Sequence, residues 1–290
     1  MESVTPPRSM KKGLILEGGA MRGMFTAGVT DVMMEHGIEF DGAVGVSAGA
    51  AFGCNYKSRQ IGRSIRYNKR FCNDPRYCGL RSLLLTGNLF NTDFAYREVP
   101  LHLDAFDFDT YRENPMEFYL VCTDVETGEP VYRRYDGYHD HGFDWIRASA
   151  SMPLVSRIVE IEGQKLLDGG MSDAIPLRFF QSIGYTRNVV ILTQPADYRK
   201  KKTKALPLIR LMYRRYPKLV QTMQRRHEMY NTTLNYIAEQ EAAGSVLVIR
   251  PAEPLPVSRA EKNPDKLQAA YDIGRATAAE QLENIHRFLA

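Results

Sequence analysis

Three short glycine-bearing segments carry the residue types needed to cut an ester. Gly45-Val46-Ser47-Ala48-Gly49 sets a serine in the G-x-S-x-G pattern. There the serine occupies a sharp strand-to-helix turn, and small neighbours let the backbone pass so that the hydroxyl is exposed at the carboxyl end of the strand. Glu17-Gly18-Gly19-Ala20-Met21-Arg22-Gly23 also follows an apolar run and opens a helix, and successive N–H groups at a helix start hold negative charge. A phosphate loop is the competing reading. The lysine of G-x-x-x-x-G-K-[ST] is missing, however, and the spacing is not G-x-G-x-x-G, so with a nucleophile at the end of the next strand an oxyanion hole is the better reading. Asp168-Gly169-Gly170 supplies an acid whose glycines allow close approach to another backbone. Alone it reads as a hairpin turn; beside the other two segments it reads as a base.

The elements that must position these groups are legible in the hydrophobic pattern. Gly13 to Glu17 is a buried strand feeding a tight turn, and Arg22 to His36 is helical, with Met24, Phe25, Val29, Val32 and Met33 at spacings of three and four and Gly37 at the C-cap. Gly42 to Val46 repeats the strand, and Ala48 to Tyr56 the helix. Two strand-turn-helix units in succession predict a parallel sheet with crossover helices. Further strands are expected at Glu117–Thr123, Val131–Arg134, Arg157–Ile161, Gln164–Leu167, Val189–Thr193 and Val246–Arg250. The irregular stretch from Lys57 to Asp109 suits helical cover or a lid. Pro207 and Pro217 divide Thr203 to Ala243 into two or three helices, and Asn263 to Leu289 closes the chain as a helix.

Composition narrows the class. With 290 residues, 44% hydrophobic and 25% charged, the chain suits a folded globular protein. No run reaches the roughly 20 apolar residues of a membrane-spanning helix, and the amino-terminal residues lack a secretory h-region, so cytoplasmic residence is expected. Cys54, Cys72, Cys78 and Cys122 have no metal-ligand spacing and are expected to be free thiols. Neither a metal nor an organic cofactor is expected. The net charge of +4 hides a block, Arg199 to Arg226, with eleven Lys or Arg and no acid. Such a block suits anionic head groups or nucleic acid, or is simply a solvated helical face.

Taken together and in this order, the three segments resemble the patatin-like phospholipase family, whose members carry a G-G-G-x-R-G turn, a G-x-S-x-G nucleophile and a D-G-[GA] acid. The likeness spans about Gly13 to Pro176, with Thr123 to Pro130 and Ala148 to Pro153 also similar to family segments; beyond it, Ala196 to Lys202 and Pro254 to Arg259 look like a bacterial subgroup. The resemblance implies a three-layer α/β/α fold with a mixed, mainly parallel sheet. It implies a catalytic core over 10–196 and a mostly helical extension over 197–290, with a strand near 246–250 that rejoins the sheet. It implies a lipid acyl hydrolase working through a Ser-Asp dyad and an acyl-enzyme: Ser47 the nucleophile, Asp168 the base, Gly45 and Gly49 the elbow, and Gly18, Gly19, Ala20, Arg22 and Gly23 the oxyanion turn. The partners implied are a lipid or small ester and, through the basic segments, an anionic membrane surface, with no nucleic acid. Ala20 stands where a third glycine is usual, and its methyl is expected to require negative φ.

Rival readings rest on other residues. In an α/β-hydrolase a histidine follows the acid, which points to His227 or His286; neither sits in a short strand-to-helix loop. His36, His102, His139 and His141 precede the acid and read as surface or structural. Asp124 is expected to hold a turn, and Asp173 is the nearest competitor of Asp168. A carboxylate of ordinary pKa near 3.9 is a weak base, so burial must raise that of Asp168. A non-catalytic scaffold and a nucleotide-binding protein complete the alternatives.

Overall fold

The computed structural model describes residues 10–137 and 141–290; His139 and the start of the amino-terminal segment lie outside them. The strands are β1 (Lys11–Leu16), β2 (Gly42–Val46), β3 (Glu117–Asp124), β4 (Pro130–Arg134), β5 (Val159–Ile161), β6 (Gln164–Asp168), β7 (Tyr185–Ile191) and β8 (Val246–Ile249). Together they form one mixed sheet. β8, β7, β1, β2 and β3 are neighbours in that order and run parallel. β4, β5 and β6 pair antiparallel. The strand expected near Val246 does rejoin the sheet, beside β7.

Because side chains alternate along a strand, apolar runs buried on both faces predict cover on both sides, and the packing follows. Leu14, Leu16, Ala43, Val189 and Ile191 pack on one face with helices α1 (Gly23–Glu35), α2 (Ala48–Lys57) and α10 (Pro264–Leu289). Ile15, Val44, Val46, Val190 and Val248 pack on the other with α7 (Leu177–Ser182) and α9 (Pro217–Ala242). The fold is therefore three-layered α/β/α. Helices α1 and α10 touch backbone to backbone. A Cβ on Gly28 would fall 2.1 Å from the Tyr271 carbonyl oxygen, and one on Gly274 would fall 2.1 Å from that of Phe25, so each glycine is needed by the opposite helix.

The stretch expected to be cover is helical: α3 (Arg63–Phe71), α4 (Leu80–Thr86) and a ten-residue π-helix, Phe94–Leu103. Farther on, α5 (Phe108–Glu113) and α6 (Asp144–Ser149) flank the antiparallel strands. The segment holding Pro207 and Pro217 forms two helices, α8 (Leu206–Met212) and α9, each with its proline at the amino-terminal end, where the missing N–H costs nothing.

One detail of the sheet positions the site. β3 carries β4 along one edge from Tyr119 to Thr123. Its other edge is shared: β2 occupies it as far as Val121, and β6 takes over at Cys122, paired with Asp168. Since β2 runs parallel to β3 and β6 antiparallel, their carboxyl ends meet head to head. Ser47 follows the last residue of β2, and Asp168 is the last residue of β6.

Candidate active site

Ser47 sits at φ 55, ψ −119 between β2 and α2. A non-glycine residue in this region costs on the order of 1–3 kcal/mol and persists only where its surroundings hold it. Here the Ser47 amide donates to Ser149 Oγ at 2.9 Å, Ser149 Oγ donates to the Val121 carbonyl at 2.6 Å, and the Ser47 carbonyl accepts from Ala50 and Ala51 at 3.0 Å each. The elbow leaves no room for side chains beside it: a Cβ on Gly45 would lie 2.4 Å from the Gly49 carbonyl oxygen, and one on Gly49 would lie 2.3 Å from that of Leu16.

Asp168 is buried. Gly170 N donates to its Oδ1 at 2.7 Å, and Asp168 lines the same cleft as Ser47. Burial raises its carboxyl above the usual carboxylate range, and the Ser47 hydroxyl, the Arg226 charge, the Gly170 amide and Lys200 hold that rise back. The direction is the one a base working near neutrality needs. Arg226 Nε in turn donates to the Gly170 carbonyl at 2.6 Å, which ties α9 to the acid loop.

The glycine-rich turn wraps the serine. A Cβ on Gly18 would fall 2.7 Å from the Val46 carbonyl oxygen and 2.9 Å from Ser47 Cβ. Among the described residues, the Gly18, Gly19 and Ala20 amides donate to no protein acceptor. Ala20 has φ 51, so the expectation of a negative φ is corrected: the alanine adopts the left-handed conformation its glycine counterparts take freely, at a cost of about 1 kcal/mol. Gly23 stands apart from the cleft. It packs on the Phe52 ring, and its N–H is already bonded to the Ala20 carbonyl. The Arg22 side chain does line the cleft, and its Nε is buried without a partner.

Two cavities meet at Ser47. One, of about 90 Å³, is walled by Ala48, Phe52, Tyr77, Phe90, Tyr96 and Val155, so the helical cover forms its roof. The other, of about 340 Å³, holds Ser47, Asp168 and the glycine turn together with Arg22, Lys200, Arg226 and Arg259. Ser47, Ala20, Leu89, Met152 and Val155 border both. The first is apolar in character and the second cationic.

None of the five described histidines lines either cavity. His286 is exposed, and His227 stands on α9 with Glu228 at 3.9 Å. Asp124 accepts from the amides of Glu126 and Thr127 at 2.9 and 2.7 Å, holding a turn. Asp173 accepts from the Tyr132 hydroxyl at 2.8 Å and is also absent from the cleft. Sequence reasoning passed over Glu17 as a structural group. Its carboxylate is buried and accepts from Thr193 N at 2.6 Å, Thr193 Oγ1 at 3.0 Å and the Tyr230 hydroxyl at 2.5 Å. It passed over Ser149 and the site-facing cations as well. The available signal was the spacing of Met223, Arg226 and Tyr230, three and four apart on one helix face.

Comparison with known proteins identifies relatives of the chain. Residues 14–180 match the family profile described as Patatin-like phospholipase, and residues 216–290 match a domain of unknown function, DUF6363. The chain is 33% identical over 207 residues to the uncharacterized protein YjjU of Escherichia coli K12, covering 67% of this chain and 55% of that protein. It is 28% identical over 185 residues to a lysophospholipase, nte1, of Aspergillus terreus, covering 59% of this chain and 11% of that protein. The chain thus spans about half of the first relative and a small part of the second. The structure of VipD from Legionella pneumophila is similar with a TM-score of 0.48 at 13% identity, covering 95% of this chain and 67% of that one.

Proposed function

Since this chain belongs to the patatin-like phospholipase family, we propose that it is a lipid acyl hydrolase in which Ser47 and Asp168 form the catalytic dyad. The observation that carries this reading is the meeting of Ser47, Asp168 and three unbonded amides at the junction of an apolar chamber and a cationic cleft. An amphiphilic ester fits that junction, with its acyl chain on the apolar side and its polar end on the other.

The chemistry follows from the placement. Ser47 Oγ attacks the ester carbonyl while Asp168 takes its proton. The developing oxyanion is met by the Gly18, Gly19 and Ala20 amides, and one such donor is worth roughly 2.7–4 kcal/mol in acyl transfer. Collapse breaks the bond to the alcohol, which leaves with the proton from Asp168, and Ser47 keeps the acyl group. Water activated by Asp168 then releases the fatty acid. No histidine is needed, because burial raises the basicity of Asp168.

Docking to an anionic membrane is part of the proposal. No helix among the described residues is long and apolar enough to cross a membrane. Leu84 and Leu85 on α4 are 84% and 72% exposed, and Leu211 and Met212 on α8 are 64% and 63% exposed. Leu89 just beyond α4 and Ile209 of α8 both line the cleft, and Lys201 and Lys202, which precede α8 in the chain, are exposed. Such a surface suits interfacial binding. Sedimentation with phosphatidylserine vesicles should fall on Lys201→Glu/Lys202→Glu; unchanged binding would remove this element.

The reading is tested by release of fatty acid from 1-acyl-lysophospholipid micelles and of p-nitrophenol from p-nitrophenyl butyrate. Turnover of both is expected. A folded protein inert toward every carboxylic ester would overturn it.

A further inference from the structure

The positive side chains of the cleft, Arg22, Lys200, Arg226 and Arg259, outnumber its two acids, Glu17 and Asp168. Among the described residues, Arg22, Lys200, Arg226 and Arg259 form no ion pair within 4.0 Å. Of the two acids, Glu17 accepts from Thr193 and Tyr230, and Asp168 accepts from Gly170 and offsets part of the Arg226 charge. Lys200 registers the surplus. Burial and then Arg226 pull its ammonium down to about 8, with Arg22 and Arg259 adding to the effect and Glu17 opposing it. The lysine is nonetheless held in place. Its backbone is bracketed by Asn231, which accepts from Lys200 N at 2.8 Å and donates to its carbonyl at 3.0 Å, and its ammonium stands 4.2 Å from the centre of the Tyr230 ring. Cations gathered in excess of the acids in a half-buried cleft favour a multiply charged anion, and guanidinium forks suit phosphate oxygens in particular.

We infer that Lys200, Arg226 and Arg259 form a phosphate subsite that seats the head group of a glycerophospholipid while its acyl ester lies on Ser47, with phosphomonoesters favoured over choline esters. All three residues lie beyond the segment matching the phospholipase profile, and Arg226 and Arg259 fall in the domain of unknown function, which thereby gains a role in substrate selection. The inference rests on the hydrolase reading and specifies its substrate class.

The test compares 1-oleoylglycerol 3-phosphate with 1-oleoylglycerol in neutral detergent micelles, using wild type, Arg259→Gln and Lys200→Gln/Arg259→Gln. Thermal unfolding serves as the folding control, and Arg259→Gln changes only an exposed residue at the mouth of the cleft. Wild type should favour the phosphate ester by about tenfold or more in kcat/KM, and the double variant should lower that ratio by about tenfold, the usual scale for a lost charge-assisted contact. Equal rates on both substrates in wild type, or an equal loss on both in the variant, would overturn the subsite. Calorimetry with sn-glycerol 3-phosphate and with inorganic phosphate separates the two readings. Glycerol phosphate binding that the double variant abolishes, in a protein that cleaves neither ester, would leave the phosphate site standing and remove the hydrolase. Inorganic phosphate binding as tightly as glycerol phosphate, with no preference between the esters, would make this a free-phosphate site and overturn the head-group assignment.

Discussion

The segment before Pro176 and the segment after Arg199 meet at one serine but are built in opposite ways. The first places its groups by strand ends and tight turns: β2 and β6 meet head to head on β3, and Ser47 and Ala20 hold positive φ. The second reaches the same cleft with long side chains, Lys200 and Arg259 from loops and Arg226 from α9. Backbone placement tolerates almost no change, because a Cβ at Gly18 or Gly49 has nowhere to go. Side-chain placement tolerates much. On the proposed reading, bond breaking belongs to the rigid part and selection to the adaptable one.

Several substitutions sharpen or break that contrast. Ser47→Ala and Asp168→Asn should each lower kcat on p-nitrophenyl butyrate by about 10³-fold or more without unfolding the protein; retained activity in folded Asp168→Asn would return the base to another group. Gly18→Ala should cost on the order of 10²-fold in kcat, because the displaced turn takes an oxyanion donor with it, alongside a lower melting temperature from the clash with the Val46 carbonyl. Gly274→Ala tests whether the later segment is integral to the fold. With its Cβ 2.1 Å from the Phe25 carbonyl oxygen, it should cost about 3 kcal/mol in denaturant unfolding, and a neutral result would mean that α10 is free to shift.

Smaller effects concern pH and strain. The base must be ionised, so kcat/KM should fall as pH drops through the raised pKa of Asp168. Arg226→Gln removes a charge that lowers this pKa, and the acidic limb should move to higher pH. On phosphate-bearing substrates a second decline is expected above about pH 8, where Lys200 loses its proton; a flat alkaline limb would detach Lys200 from recognition. Ala20→Gly should raise stability by about 0.5–1 kcal/mol by relieving the left-handed alanine, measured as a higher melting temperature.

The same contrast explains what could be read in the sequence. β1, β2, β7 and β8 are apolar runs ending in turns, and α1 repeats at helical spacing, so local periodicity placed them within a few residues. Ser47 and Asp168 stood out because glycines mark where the backbone must pass closely. Lys200, Arg226 and Arg259 did not, since a cation facing a cleft and one facing solvent are the same letter, and the block from Arg199 to Arg226 contains both kinds. Glu17 and Tyr230 are 213 residues apart, and no local pattern joins them. Ala20 was misread because its φ is set by Gly19 and the turn into α1, where packing overrides the usual preference of alanine.

The central claim is that Ser47 is the nucleophile, and covalent labelling tests it most directly. After treatment with a fluorophosphonate, peptide mass spectrometry of wild type should place a single adduct on Ser47, with none in Ser47→Ala and slowed formation in Asp168→Asn. An adduct on another residue, or an unmodified wild type under conditions where it hydrolyses esters, would contradict the account.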